Sequence, residues 1–324
     1  MATRHFLHVW LWSIVMAVWA SVAHAAPPRA VNCIAPAQPG GGFDLTCRLL
    51  SDALAGRDIA VNRRFMPGGV GAVAFNAMIN QTPADPSTLV AFSEGSIYNL
   101  ALGHYGDRGL DDVQWLAALA VDYGAVVVRA DAPWHTLPEL LAAVKAEPQR
   151  MALGGGGVIG GQDWMRAATM TRLAGIYPDR MRFVAFEGGG GCLEALVAGF
   201  VAACMNDAGD SQTSIDEGRP LRILAVHSAE RLPGALAAIP TAREQGIPLD
   251  WPVLRGVYTG PQVPRAEVLA WQRLLDDVLH GPAYEDLLAS HHLEPMPLTG
   301  PALDERLARM AQDARTRAVQ LGLP

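Results

Sequence analysis

The chain has 324 residues, half of them apolar and 18% charged, which suits two cores of ordinary size and excludes a disordered segment or a small scaffold held by staples. A formal charge of −7 with no cluster of Lys or Arg leaves no concentrated basic surface for nucleic acid, which needs one to displace counterions from phosphates. The single lysine, Lys145, precedes Ala146, so the Lys-Ser/Thr pair of a phosphate-binding P-loop is absent and a Schiff-base mechanism has one poorly placed candidate.

Residues 1–25 open with Arg4 and His5, pass through an apolar run and end in Ala23-His24-Ala25. That order reads as a secretory signal cleaved before Ala26. A membrane anchor is the competing reading; the weakly charged flank and the lack of a later run of about 18 apolar residues speak against it. The mature chain is therefore expected to be exported, periplasmic and acidic.

Strands are predicted over 31–35, 88–93, 124–128, 151–153, 182–186, 201–205 and 221–227. Between them, 44–55, 137–146 and 162–174 carry apolar residues at helical spacing. After Pro248 the pattern changes to one extended segment, 251–259, followed by three helices in a row over 264–279, 283–291 and 301–321. Short apolar runs alternating with amphipathic helices predict an α/β chain whose sheets are mostly parallel and flanked by helices. Pro-containing connections at 129–138 and 246–253 predict two crossings between two lobes. The expected division is a signal at 1–25, the first part of lobe one at 26–130, lobe two at 131–250 and a return to lobe one at 251–324. Ligands in such folds lie outside the carboxyl ends of strands, so the loops that follow strands are the ones to read.

Four of those loops are rich in glycine. The first is Pro39-Gly40-Gly41-Gly42-Phe43-Asp44, the second Pro67-Gly68-Gly69-Val70-Gly71, the third Gly154 through Gly161 and the fourth Glu187-Gly188-Gly189-Gly190-Gly191. Glycine lets the backbone approach a ligand, and N–H groups at a helix start attract an anion, so a carboxylate fits. A tight strand-to-helix turn would demand the same residues. Asp44 is read as a helix N-cap rather than a ligand contact. Gly155, Gly157 and Gly160 also match the spacing of a dinucleotide-binding turn, with Glu187 where a ribose-binding acid would stand, which keeps an exported dinucleotide enzyme as the alternative.

No nucleophile elbow or zinc-binding His-Glu-x-x-His segment occurs, and His104, His135 and His227 lack visible partners, so no metal or cofactor is called for. Trp115, Trp134 and Trp251 are read as core. Cys33, Cys47, Cys192 and Cys204 form no Cys-x-x-Cys pair. Local bridges Cys33 to Cys47 and Cys192 to Cys204 are allowed in an oxidising compartment; the reading taken is that of buried small apolar residues.

Pro39 to Asp44 with Arg48, Asn62-Arg63 followed by Gly68 to Gly71, and the block from Ala225-Val226-His227 through Arg231-Leu232-Pro233 to Pro240-Thr241-Ala242-Arg243-Glu244-Gln245-Gly246 together resemble the substrate-binding proteins of tripartite tricarboxylate transporters, the Bug-type extracytoplasmic receptors. The resemblance implies a two-lobed periplasmic binding protein of the Venus-flytrap kind, type II-like, that closes on a small carboxylate without catalysis. It implies membrane transporter subunits as partners, or a sensor kinase if the chain serves as a ligand-loaded co-sensor. Carried over by position, Gly40, Gly41, Gly42, Asp44, Gly155, Gly156 and Gly157 would hold the ligand. Ser93 and Ser96 would add hydroxyls, and Gly188 and Gly189 stand where relatives carry a Tyr-Lys-Gly stretch. The chain departs from the pattern in having no serine in Gly154 to Gly157, in Arg64-Phe65-Met66 and Pro86, and above all in Phe186-Glu187, an acid where a base is common. A Glu187 facing the cleft would disfavour a dicarboxylate and prefer an amine or fewer charges.

Overall fold

The computed structural model describes residues 27–323, so the expected signal segment lies outside the described residues. The first lobe begins with β1 (Ala30–Ala35), α1 (Gly42–Ala55), β2 (Ala60–Phe65), α2 (Ala72–Asn80), β3 (Thr88–Ser93) and α3 (Glu94–Ala101). The long strand β4 (Gln114–Arg129) then leads into the second lobe. There follow α4 (Leu137–Ala146), β5 (Leu153–Gly156), α5 (Gln162–Leu173), β6 (Phe183–Phe186), α6 (Gly189–Val197), β7 (Ala203–Asp207), α7 (Ala208–Asp216) and β8 (Leu221–Val226). The chain returns with β9 (Pro252–Thr259), α8 (Arg265–Leu279), α9 (Tyr284–Ser290), β10 (Glu294–Thr299) and α10 (Gly300–Gln320).

In the first lobe the strand order is β2-β1-β3-β9-β4-β10, with β1 parallel to both neighbours and β9 and β10 antiparallel to β4. In the second it is β8-β4-β7-β5-β6, with β5 parallel to both neighbours and β4 antiparallel to β7 and β8. Helices cover both faces of each half. Leu45, Leu49, Trp271 and Leu275 bury one face of the first lobe, and Phe75, Phe92, Leu307 and Met310 the other. Each fully buried Leu or Phe is worth about 1.5–3 kcal/mol, so the apolar stripe of α1 alone fixes that helix on its strand.

The structure moves the first crossing. Residues up to Tyr123 of β4 pair with β9, and from Gly124 the same strand pairs with β7. The sheet thus changes lobes inside one continuous strand, and 129–138 is a loop within the second lobe. The strand predicted over 124–128 covers only the second-lobe half of β4, because Asp122-Tyr123-Gly124 interrupts the apolar run and the first half is not read as strand. Three segments meet at this hinge: Gly124 N–H donates to the Trp251 carbonyl at 2.9 Å, His227 N–H to the Gly124 carbonyl at 2.6 Å and Trp251 N–H to the His227 carbonyl at 2.7 Å. A further span was not anticipated. Helix α10, about 32 Å long, buries Leu303, Leu307 and Met310 in the first lobe and Ala314 and Ala318 against the second, and its Arg317 lies over the Trp251 ring at 4.3 Å.

Other expectations are corrected. The three helices in a row are interrupted by β10, whose Pro295 and Pro297 suit it to the edge position it occupies. The edge strand β2 is mostly exposed and carries Asn62, Arg63 and Arg64, so it lacks the apolar run of a central strand. The four cysteines are bridged, Cys33 to Cys47 and Cys192 to Cys204. The first bridge ties β1 to α1 and the second ties α6 to β7.

Candidate functional site

Between the lobes lies a cavity of about 140 Å³. Its wall takes residues from the N-terminal ends of five helices: Gly41 and Gly42 of α1, Ser93 and Gly95 of α3, Gln162 and Asp163 of α5, Gly188 to Gly191 of α6 and Asp207 before α7. Each helix start presents unpaired N–H groups and about half a positive charge. Four of the five bring their own acid in the first turn: Asp44, Glu94, Asp163 and Asp210. Helix α6 brings none; α1, α5, α6 and α7 all lack a side-chain cap, and among them the starts of α1 and α6 approach each other across the cleft, a Cβ on Gly41 reaching 3.2 Å from the Gly190 nitrogen. An anion placed between those two ends would find backbone donors on both sides.

Glycine is required there because the lobes touch through backbone. A Cβ on Gly41 would lie 3.2 Å from the Gly190 nitrogen, and one on Gly190 would lie 2.8 Å from the Gly40 carbonyl oxygen. Under Gly42 the Arg255 guanidinium occupies the space a Cβ would need.

Arg255 belongs to a buried chain of charges. Its Nη2 donates to Asp122 Oδ2 at 2.7 Å and Asp207 Oδ2 at 2.8 Å, while Arg166 donates to Asp207 Oδ1 at 2.8 Å and Asp163 Oδ1 at 2.5 Å. Asp163 also accepts the Gly156 N–H at 2.7 Å, and Asp122 accepts the Gly209 N–H at 3.0 Å. Burial works against both arginine charges, but the surrounding carboxylates outweigh it and hold both pKa values above the ordinary range. The His227 imidazole, buried with no hydrogen-bond partner on either ring nitrogen, is pushed down to about 3 by burial and by Arg166, and is neutral. Burial raises Glu94 and Asp210 to about 7.

Of the residues singled out by sequence, Gly41, Gly42, Ser93, Gly156, Gly157, Glu187, Gly188 and Gly189 line the cavity. Gly40, Asp44, Ser96 and Gly155 do not. Gly40 holds the turn with φ +80°. The N-cap of α1 is Gly41 rather than Asp44; Asp44 reaches back to the Gly40 N–H at 3.1 Å and pairs with Arg63 at 2.8 Å. The Ser96 hydroxyl accepts the Ser93 N–H at 3.2 Å and closes a capping box. Gly155 is a strand residue of β5, where a Cβ would strike Asp163 at 2.6 Å. A dinucleotide turn would place its first glycine after the strand, so that fingerprint has the wrong local structure here.

Sequence reasoning missed Arg255, Asp163, Asp207 and Gln162. A signal existed for the first: Arg255 interrupts the apolar strand Val253-Leu254-Arg255-Gly256-Val257, and a charge there must be paired to be buried.

The comparisons with known proteins agree with this fold. A protein of Pseudomonas sp. (strain P51), named for its place in the tcbD-tcbE intergenic region, is 26% identical over 256 residues, 75% of this chain and 72% of its own. The R. palustris protein Rpa4515, solved with adipate, superposes with a TM-score of 0.80 at 20% identity, covering 91% of this chain and 98% of that one. MatC of Rhodopseudomonas palustris, solved with bound malate, gives 0.73 at 21% identity over 91% and 98%. The family model of the tripartite tricarboxylate transporter family receptor matches residues 50–321, from within α1 to the end of α10 and so through both lobes and every glycine turn but the first. The chain belongs to that receptor family.

Proposed function

We propose that this chain captures a small carboxylate between its lobes, leaves it chemically unchanged and presents the closed complex to a membrane transporter from the periplasmic side. One observation carries the reading: the uncapped starts of α1 and α6, one from each lobe, meet face to face at the cavity. A carboxylate placed there would accept N–H groups from both lobes at once, so that binding and closure become one event. Three or four charge-assisted bonds at about 1.5–3 kcal/mol each, less ordering costs, cover the roughly 8 kcal/mol of a micromolar complex. Two similar structures hold adipate and malate, both small carboxylates, which supports the reading.

A thermal-shift panel of mono-, di- and tricarboxylates and amino acids tests the reading. A ligand at 100 times its Kd adds about 2.7 kcal/mol of stability. Gly188→Leu is the companion variant. Gly188 is extended and its Cβ would face Ala37 of the other lobe at 3.4 Å, so a larger side chain wedges the cleft without entering either core. We expect a carboxylate to stabilise the parent chain and the shift to vanish in Gly188→Leu, whose own melting point stays put. A panel with no responding carboxylate, or a variant that responds fully, overturns the proposal.

A further inference from the structure

Glu187 follows β6 on the second lobe, one residue before the N-cap of α6. Its carboxylate reaches the first lobe, where one oxygen accepts the N–H groups of Gly68 at 2.6 Å and Val70 at 3.2 Å. The receiving turn is shaped for an anion. Four consecutive residues, Gly68, Gly69, Val70 and Gly71, have φ of 137°, 58°, 53° and 101°, and this run brings two amides to one point. Val70, β-branched, holds a conformation such residues rarely adopt. Its carbonyl is fixed in place by the Tyr105 hydroxyl at 2.7 Å and by Asn99 Nδ2 at 3.5 Å. A strained turn kept in this way calls for a use, and the use visible here is to receive a carboxylate.

We infer that Glu187 determines ligand charge: the protein's own carboxylate fills the receptor that a ligand's second carboxylate would need, so the cleft selects molecules with one carboxylate and a hydrogen-bond donor at the far end. The inference rests on the carboxylate-capture reading above and narrows its substrate class. Two independent observations support it. Gln162, 8% exposed, lines the same cavity, and its amide oxygen has no partner, so a ligand amine, amide or hydroxyl would satisfy a buried acceptor. The cavity wall also carries Asp163, Asp207 and Glu187 against Arg255, whose Nη2 is already shared by two carboxylates. A second ligand carboxylate would face more wall carboxylates than guanidinium groups, whereas an ammonium would be drawn to them.

Titration calorimetry on matched pairs tests this: succinate against gamma-aminobutyrate, glutarate against delta-aminovalerate, and adipate against epsilon-aminocaproate. Each pair keeps one carboxylate and exchanges the other for an amine. In the parent chain we expect the amino acid of the best-binding pair to win by at least about tenfold. In Glu187→Ala, with the turn vacated, that ratio should fall at least about tenfold toward the diacid. The ratio is the readout because loss of a merely structural contact between lobes weakens both members alike. A parent chain that prefers the diacid, or a ratio unmoved in Glu187→Ala, overturns the inference and leaves carboxylate capture standing. If no member of any pair binds either protein, this inference is overturned, and carboxylate capture stands or falls by the thermal-shift panel above.

Discussion

Asp207 serves two buried arginines from opposite lobes, one through each oxygen, Arg166 of α5 and Arg255 of β9. Removing one partner of such a pair leaves an uncompensated buried charge, so Asp207→Asn should cost about 3–5 kcal/mol in urea unfolding, far more than a surface pair. Titration adds a second handle. Glu94 rises to about 7 through burial, above its ordinary 4.5, so the folded state holds the proton longer than the unfolded one. Its contribution is fully present below pH 4.5 and is lost as the pH climbs to about 7. His227 works in the opposite direction. At about 3 against 6.5 it stays neutral when folded, and stability drains away as the pH falls from 6.5 toward 3. Glu94→Gln should therefore gain stability over the parent at pH 8 and show little gain at pH 4, measured by thermal unfolding at both. An equal effect at the two pH values would contradict the assignment. The residues that carry these effects were poorly legible from sequence. Asp163, Asp207 and Asp210 look like ordinary helix-start acids, and only the fold shows that their helices point at one place.

At the scale of elements, each disulfide holds one of the two helices whose starts meet in the cleft, α1 through Cys47 and α6 through Cys192. The loops they close span 14 and 12 residues, and chain-entropy reasoning puts each near 3 kcal/mol. Replacing Cys33 and Cys47 by Ala should lower unfolding stability by about that amount and weaken ligand binding as the start of α1 loosens; an unchanged affinity would show that the bridge only stabilises the fold. The strand-helix alternation was readable because apolar runs and helical spacing are local properties. Strand β5 is predicted two residues early, at 151–153, since Leu153-Gly154-Gly155-Gly156 has almost no side chains to show a pattern and its glycines read as a loop. Its glycines answer to neighbours the sequence hides: a Cβ on Gly154 would lie 2.7 Å from the Cys192 sulfur, and one on Gly156 would lie 2.9 Å from the backbone of Gly188 and Gly189. The cysteines were misread for a related reason, because burial and bridging both favour the same small residue and spacing does not separate them.

Across the whole molecule, three spans connect the lobes: the bend in β4 at Gly124, the return at Trp251 and helix α10 packed over both. Gly124 is closely hemmed, since a Cβ there would lie 2.5 Å from Arg166 Nη1 and 2.7 Å from His227 Nδ1. Motion about such a hinge must be a rotation of whole lobes that keeps the three backbone bonds, with α10 as a strap along one side. The sequence revealed that there were two lobes and a cleft, and the glycine turns pointed to its walls. It did not reveal the strap, because a long amphipathic helix reads alike whether it packs on one body or two. Small-angle scattering should show the radius of gyration falling on ligand addition in the parent chain and holding constant in Gly188→Leu. The most direct measurement is a crystal structure with the carboxylate that the thermal panel identifies. The account predicts its oxygens about 3 Å from the first-turn N–H groups of both α1 and α6. A ligand lodged elsewhere, with Gly41 and Gly190 still pressed together and their amides untouched, would contradict it.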